Sequence, residues 1–131
     1  MLTAQDIMSE NVVTIGSNAT VQEAIDTLLE KNISGLPVVD PRGQFVGIVT
    51  EFALLAIAYD ENIRQEKVFK HMSTELITVD PNAPVRKVAD LCIIHRVRRI
   101  PVVQEGHLQG MISRRDVLKS VYGMSQATCL A

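Results

Sequence analysis

Ser113 and Asp116 stand three residues apart near the end of the stretch 98–118, RRIPVVQEGHLQGMISRRDVL, among four arginines, Arg98, Arg99, Arg114 and Arg115. Two chemistries fit that spacing. In the simpler one, Ser-x-x-Asp is a capping box, close to the favoured Glu/Gln form, that starts a helix and does nothing more. In the other, the same helix start is a phosphate site, because its free backbone N–H groups and the positive end of its dipole favour an anion. Guanidinium groups on either side suit bidentate phosphate contacts. The Asp116 carboxylate could then accept hydrogen bonds from both hydroxyls of a ribose. The stretch alone favours the cap. Arg114 and Arg115 are adjacent on the helix start and point apart, so one of them is expected to be a solvated charge.

No other constellation competes. His71, His95 and His107 lack metal-ligand spacing, so no metal site is expected. Ser113, His95 and Asp116 are not spaced as a catalytic triad, and no catalytic residues are assigned. Met8 and Met72 read as core or cleft-edge residues.

The elements that must position Ser113 and Asp116 follow from the local pattern. Ile100 to Val103 is an apolar, mostly β-branched run, Glu105-Gly106 is a turn, and Leu108 to Ile112 is the return strand of a hairpin. Ser113 then opens an amphipathic helix. The same order occurs once before. Thr3 and Asp6 cap a short helix to Met8, and Val12 to Ile15 is a brief strand. Thr20 and Glu23 cap a helix whose buried face is Val21, Ala24, Ile25, Leu28 and Leu29, ended by Asn32. Leu36 to Val39 and Phe45 to Val49 form a hairpin around Asp40-Pro41-Arg42-Gly43. Thr50 caps a helix from Phe52 to Ala58 that is apolar all round. After a polar link, Asp60 to Gln65, the pattern restarts with a short helix at Val68 to Met72, a strand at Leu76 to Val79 and a striped helix at Pro84 to His95.

The repeat is numerical as well as qualitative. Met8 and Met72, like Pro37 and Pro101, are 64 residues apart; Gly47 and Gly110 are 63 apart because the second turn is one residue shorter. The expected division is a first repeat at 1–62, a second at 63–122 and a C-terminal tail at 123–131. Each copy is too small and apolar to stand comfortably alone. The predicted fold is therefore α/β (α+β): two small sheets packed together with helices outside, related by a pseudo-twofold axis, with two equivalent clefts.

Composition sets the outer bounds. A chain of 131 residues can bury roughly two-thirds of its unfolded surface. It has no Trp, three Phe and two Tyr, so aliphatic residues carry the core. No apolar run approaches the ~20 residues of a membrane span, and no secretory signal opens the chain. Two cysteines, Cys92 in a helix and Cys129 in the tail, form no CxxC pair and suggest a reducing compartment, the cytoplasm. The net charge of −2 conceals an asymmetry: residues 1–65 carry nine acidic and three basic side chains, residues 66–131 six acidic and ten basic. The positive charge is concentrated around the second hairpin with few aromatic residues to stack bases. That suits a small anion and disfavours nucleic acid.

Taken together, ISGLPVVD with GIVT and VRRIPVVQ with GMISRRD resemble the cystathionine-β-synthase (CBS) domain pair, or Bateman module. The resemblance covers the chain from about Asp6 to Leu118. It implies a tandem CBS repeat that is not an enzyme, requires no cofactor, and binds an adenine nucleotide (AMP, ADP or ATP) or an adenosyl compound as a regulatory ligand in the cleft between repeats. It further implies a stand-alone homodimer that modulates an unidentified partner protein. Carried over position by position, Ser113 would meet a phosphate, Asp116 the ribose and Met111 the base, with Arg98, Arg99 and Arg115 near the phosphate. The other repeat's side of the cleft maps to Asn11, Val13, Ile33, Ser34 and Gly35. The first copy departs from the pattern, with Ala53 where the ribose carboxylate belongs and Glu51 in the place of Arg114. Ala53 is also the best argument for the alternative, a ligand-free dimerisation or interaction module.

Overall fold

The structure, a computed structural model, describes residues 1–130, with side chains described for residues 1–123. The chain forms two small sheets and a set of helices, arranged as two compact units. The boundaries of these units cut across the sequence repeats. A central unit comprises Val13–Leu76, and a terminal unit joins Met1–Val12 to Ile77–Ala131.

In the central unit, β1 (Ile15–Gly16) runs parallel to β2 (Gly35–Val39), which pairs antiparallel with β3 (Phe45–Thr50). Helix α2 (Val21–Lys31) lies between β1 and β2 in the chain, and β3 runs into α3 (Glu51–Leu55) and then α4 (Glu61–Arg64). The core is aliphatic: Val21, Leu36, Val38, Val49 and Val68 are fully buried. Thr20 and Glu23 form the expected capping box, and Asn32 ends α2 in the left-handed conformation its short polar side chain tolerates. Asp40 Oδ1 accepts the N–H groups of Arg42 and Gln44, both at 2.9 Å, which fixes the hairpin turn.

The terminal unit repeats this plan. Its N-terminal helix α1 is Ala4–Ile7, and α5 (Val85–His95) precedes the hairpin of β4 (Arg99–Gln104) and β5 (His107–Ser113). Glu105 and Gly106, with φ of 51° and 82°, make the two-residue turn, a conformation matched to strand twist. The seventeen-residue α6 (Arg114–Leu130) follows. Ile100, Val102, Ile112 and Val88 form the buried centre. Both hairpins carry a register shift at the same place, Val38/Val39 and Val102/Val103.

Several elements differ from their sequence expectation. Leu29, assigned to the buried stripe of α2, is 75% exposed. The helix expected over Phe52 to Ala58 stops at Leu55. There the chain tightens into i→i+3 turns (Ile57 N–H to Leu54 O, Asp60 N–H to Ile57 O), and Asp60 caps α4 inside what reads as a polar link. Val68–Lys70 is a single 3₁₀ turn. The strand expected at Val12 to Ile15 survives only at Ile15–Gly16, where it meets Val38 and Val39. The strand expected at Leu76 to Val79 shrinks to one bridge, Val79 to Val102. Asp80 begins a turn there (Asn82 N–H to Asp80 Oδ1, 2.9 Å), and Pro81 has no N–H to continue a ladder. The segment expected as a tail continues α6 through Leu130; its side chains from residue 124 on, Cys129 included, lie outside the described residues.

What makes each unit differ from its repeat is an exchanged opening segment. In the terminal unit, residues from the start of the chain bond to residues of the second copy: Ala4 N–H to Ala83 O (2.8 Å), Val85 N–H to Leu2 O (3.1 Å), and Ser9 and Met111 with each other at 2.9 and 3.0 Å. In the central unit the equivalents are Val68 N–H to Ala19 O (2.8 Å), Val21 N–H to Glu66 O (2.9 Å), and Ile48 with Ser73 at 3.0 and 2.8 Å. Each crossing passes over a glycine. A Cβ on Gly110 would lie 2.6 Å from Met8 Sδ and 2.8 Å from the Ser9 carbonyl oxygen; one on Gly47 would lie 2.5 Å from Met72 Sδ and 2.9 Å from the Ser73 oxygen.

Gly110→Ala should therefore lower stability by about 1–3 kcal/mol, the range for forced overpacking. Adding Met8→Ala should recover only part of this, because the Ser9 carbonyl remains in the way. Denaturant titration of the single and double variants checks both statements.

Candidate functional site

Ser113 is the last residue of β5 and Arg114 the first of α6. The junction is held by the Arg114 N–H, which donates to the Arg98 carbonyl at 2.9 Å. In the antiparallel register Arg99 stands opposite Ser113 and Pro101 opposite Met111. Directly opposed residues, and residues two apart on one strand, project to the same side of a sheet. Arg99, Met111 and Ser113 thus share one face, while Ile100 and Ile112 fill the core from the other. Ser9, paired with Met111, brings the segment that carries Asn11 to the same strand.

Asp116 turns back onto the junction. The Ser113 N–H donates to Asp116 Oδ2 at 2.9 Å, and the Asp116 N–H donates to Ser113 Oγ at 3.1 Å. The simpler of the two chemistries read from Ser-x-x-Asp is therefore realised. It does not consume the pair. Among the described residues no group bonds Asp116 Oδ1, and the Ser113 hydroxyl, accepting through its oxygen, keeps its proton to donate. A cap that fixes both rotamers leaves one carboxylate oxygen and one hydroxyl proton in set positions, half-buried at the head of a long helix.

The arginines divide. Burial pushes the Cys92 thiol up, and the Arg114 guanidinium, itself exposed, partly offsets that. Arg115, one residue on and about 100° round the helix, is exposed, as are Arg98 and Arg99. Asn11 is also exposed. Asn11, Arg98, Arg99, Met111, Ser113, Arg115 and Asp116 all belong to the terminal unit.

Val13, Ile33, Ser34 and Gly35 belong to the central unit, where Ser34 and Gly35 flank its own strand–helix junction. Gly35 is opposite Thr50, as Arg99 is opposite Ser113, and the Ser34 carbonyl accepts the Glu51 N–H at 3.0 Å, as Arg98 accepts that of Arg114. Val13 and Ile33 pack partly buried on the core. The backbone is the same; the chemistry is not. Thr50 Oγ1 accepts the Ala53 N–H at 3.2 Å, but Ala53 has no carboxylate to answer. Helix α3 is five residues long and offers little dipole, and Glu51 sits on its first turn. The apolar run Phe52 to Ala58 implies a longer helix than α3; the one sequence signal against it is Asp60, which caps α4.

Among the described residues no three His, Cys, Asp or Glu side chains form a metal-binding group, and no helix is long and apolar enough to cross a membrane.

The CBS domain family matches residues 4–60 and 66–123. The CBS domain-containing protein YhcV of Bacillus subtilis is 32% identical over 119 residues, covering 89% of this chain and 84% of that protein. Other relatives are longer: the chain is 34% identical over 115 residues to the uncharacterised protein MJ1225 of Methanocaldococcus jannaschii and covers 88% of itself but 41% of that protein. The crystal structure of CBSX2 in complex with AMP has a TM-score of 0.85 at 27% identity, covering 95% of this chain and 99% of that one. The CBS domain pair of protein MJ0100, in complex with 5′-methylthioadenosine and S-adenosyl-L-methionine, has a TM-score of 0.78 at 29% identity, with 95% and 98% covered.

The two junctions should differ in how much they stabilise their helices. Ser113→Ala, which breaks a reciprocal cap on a seventeen-residue helix, should cost about 1 kcal/mol. Thr50→Ala, which removes a single bond on a five-residue helix, should cost less. Equal losses in urea denaturation would contradict the distinction.

Proposed function

Since the chain belongs to the CBS domain family as a tandem pair of repeats, we propose that it is a non-catalytic regulatory module that binds an adenine nucleotide or adenosyl compound and modulates a partner protein. The observation that carries the reading is the half-buried Ser113–Asp116 pair, pre-set by its own cap, with Oδ1 and a hydroxyl proton left to use and Arg99 on the same sheet face. Such an arrangement suits a ribose diol at Asp116 Oδ1 and a phosphate at Ser113, within reach of the α6 N-terminus. Met111 would meet the base, and Asn11, Arg98 and Arg115 would border the ligand. By the family resemblance, Val13, Ile33, Ser34 and Gly35 complete the set. The AMP, methylthioadenosine and S-adenosylmethionine bound by the two structural relatives support the ligand class.

The alternative, an interaction module without a ligand, draws on Ala53 and the short α3. Titration calorimetry with AMP, ATP, methylthioadenosine and S-adenosylmethionine decides between them. We expect one tight site per chain. A charge-assisted hydrogen bond contributes roughly 1.5–3 kcal/mol, so Asp116→Ala should weaken binding about ten- to a hundredfold or more, beside a capping loss of about 1 kcal/mol. Unchanged affinity in Asp116→Ala, or two equal tight sites in the wild type, would contradict the assignment, and no binding of any of the four would favour the interaction module.

The same reading includes a homodimer. Leu29, Phe52 and Leu55 in the central unit and Ile93, Ile94 and Leu118 in the terminal unit are exposed large apolar side chains. Clusters of that kind mark association surfaces. Light scattering at tens of micromolar should give twice the chain mass; a monomer mass would rule the dimer out.

A further inference from the structure

Five exposed arginines, Arg96, Arg98, Arg99, Arg114 and Arg115, lie along two stretches that adjoin at the head of α6, where the Arg98 carbonyl accepts the Arg114 N–H at 2.9 Å. The fold does not require them. By the repeat offset the central unit builds the same junction with Asn32, Ser34, Gly35, Glu51 and Phe52 at those positions. Three features of the cluster are unfavourable in the protein alone. Among the described residues none of the five is in an ion pair; the pairs present are Arg64–Glu61 and His71–Glu66, both in the central unit. Arg114 and Arg115 occupy the first turn of a seventeen-residue helix, the end whose dipole disfavours a cation. Arg96 is in the left-handed conformation, with φ of 54°, which its counterpart Asn32 tolerates through a short polar side chain and a long side chain does not. A cation just past the end of α5 complements the dipole of that helix, but this accounts for Arg96 alone and not for the other four.

We propose that the Ser113–Asp116 site selects an adenine nucleotide carrying two or three phosphates over a monophosphate, with Arg96 and Arg114 as specificity residues for the outer phosphates. The inference rests on the adenine-ligand reading and names the ligand class within it. Crowded like charges repel one another, and a polyanion turns that repulsion into attraction. Five guanidinium groups against the carboxylates of Asp116 and of Glu10, the neighbour of Ser9, leave +3, more than the charge of about −2 on a monophosphate neutralises. Each further phosphate adds negative charge and acceptor oxygens that guanidinium groups hold bidentately. The same field disfavours S-adenosylmethionine, whose sulfonium is a cation, and methylthioadenosine has no phosphate with which to gain from it.

Calorimetry on the full chain, in magnesium-free buffer at low ionic strength, compares AMP, ADP, ATP, methylthioadenosine and S-adenosylmethionine. ADP and ATP should bind roughly tenfold or more tightly than AMP, with S-adenosylmethionine the weakest. The affinity for ATP should also fall more steeply with added salt than that for AMP. Arg96→Asn, which installs the residue type of the first repeat, should move two readouts in opposite directions. The urea midpoint should rise as the left-handed strain is relieved, and the ATP-to-AMP affinity ratio should fall by roughly fivefold. Arg114→Gln should lower the same ratio. AMP or methylthioadenosine bound as tightly as ATP would overturn the selectivity and leave the adenine reading standing. A raised midpoint with an unchanged ratio in Arg96→Asn would overturn the role of Arg96, since relief of strain is all that a structural residue would show. Binding of none of the five compounds would overturn both the selectivity and the adenine reading.

Discussion

Everything at the candidate site hangs on one close crossing of backbones. Ser9 and Met111 exchange hydrogen bonds at 2.9 and 3.0 Å directly beside Gly110, where a Cβ would collide with Met8 and with the Ser9 carbonyl. That crossing gives the short hairpin β4–β5 a third segment along its outer edge, covering backbone groups that would otherwise be left to solvent. It also aligns Met111 and, two residues on, Ser113. The central unit repeats the device with Ile48, Ser73, Gly47 and Met72. Since each crossing segment comes from the start of the other repeat, the two units are covalently interleaved, and neither repeat can complete its fold from its own residues.

A scaffold used twice in one chain leaves chemistry free to diverge. The hydrogen bond from the first helical N–H to the residue before the hairpin is kept in both units, Glu51 to Ser34 and Arg114 to Arg98. The hydroxyl at the helix start is kept as well. What differs is side-chain functionality at three positions: Asp116 against Ala53, Arg114 against Glu51, and Arg99 against Gly35. The two arginine differences leave the central junction less suited to an anion, the Asp116 difference leaves it without a carboxylate acceptor for hydroxyls, and none touches a core residue. Backbone geometry is preserved by the buried Val, Leu and Ile of each hairpin, and ligand chemistry is set by exposed or half-buried residues at its end. The chemistry of the two junctions can thus diverge without a cost to folding.

Capping and ligand binding are often weighed as rival explanations for a Ser-x-x-Asp pair. Here the cap does not exclude the second role. The cap occupies Asp116 Oδ2 and the acceptor side of Ser113 Oγ, which locks both side chains in the protein alone. Locked rotamers lower the entropy lost on binding.

The sequence by itself determined the duplication, both hairpins, the caps at Thr20 and Ser113 and the helix end at Asn32. All are local: turn residues, capping spacing and apolar periodicity act within a few residues, and the 64-residue offset made each element visible twice. The long-range pairing was not legible. Nothing in the residues 1–12 says that they join residues 77 onward, because Ala4, Ser9 and their partners bond through backbone groups common to every residue type. The strands at Val12 to Ile15 and Leu76 to Val79 shrank for the same reason, since a strand exists only where a partner meets it. The buried face of α2 is one residue narrower than its periodicity implies, at Leu29, and α3 is shorter than its apolar run. In both cases periodicity records which residues are apolar, and only tertiary contacts decide which of them are covered.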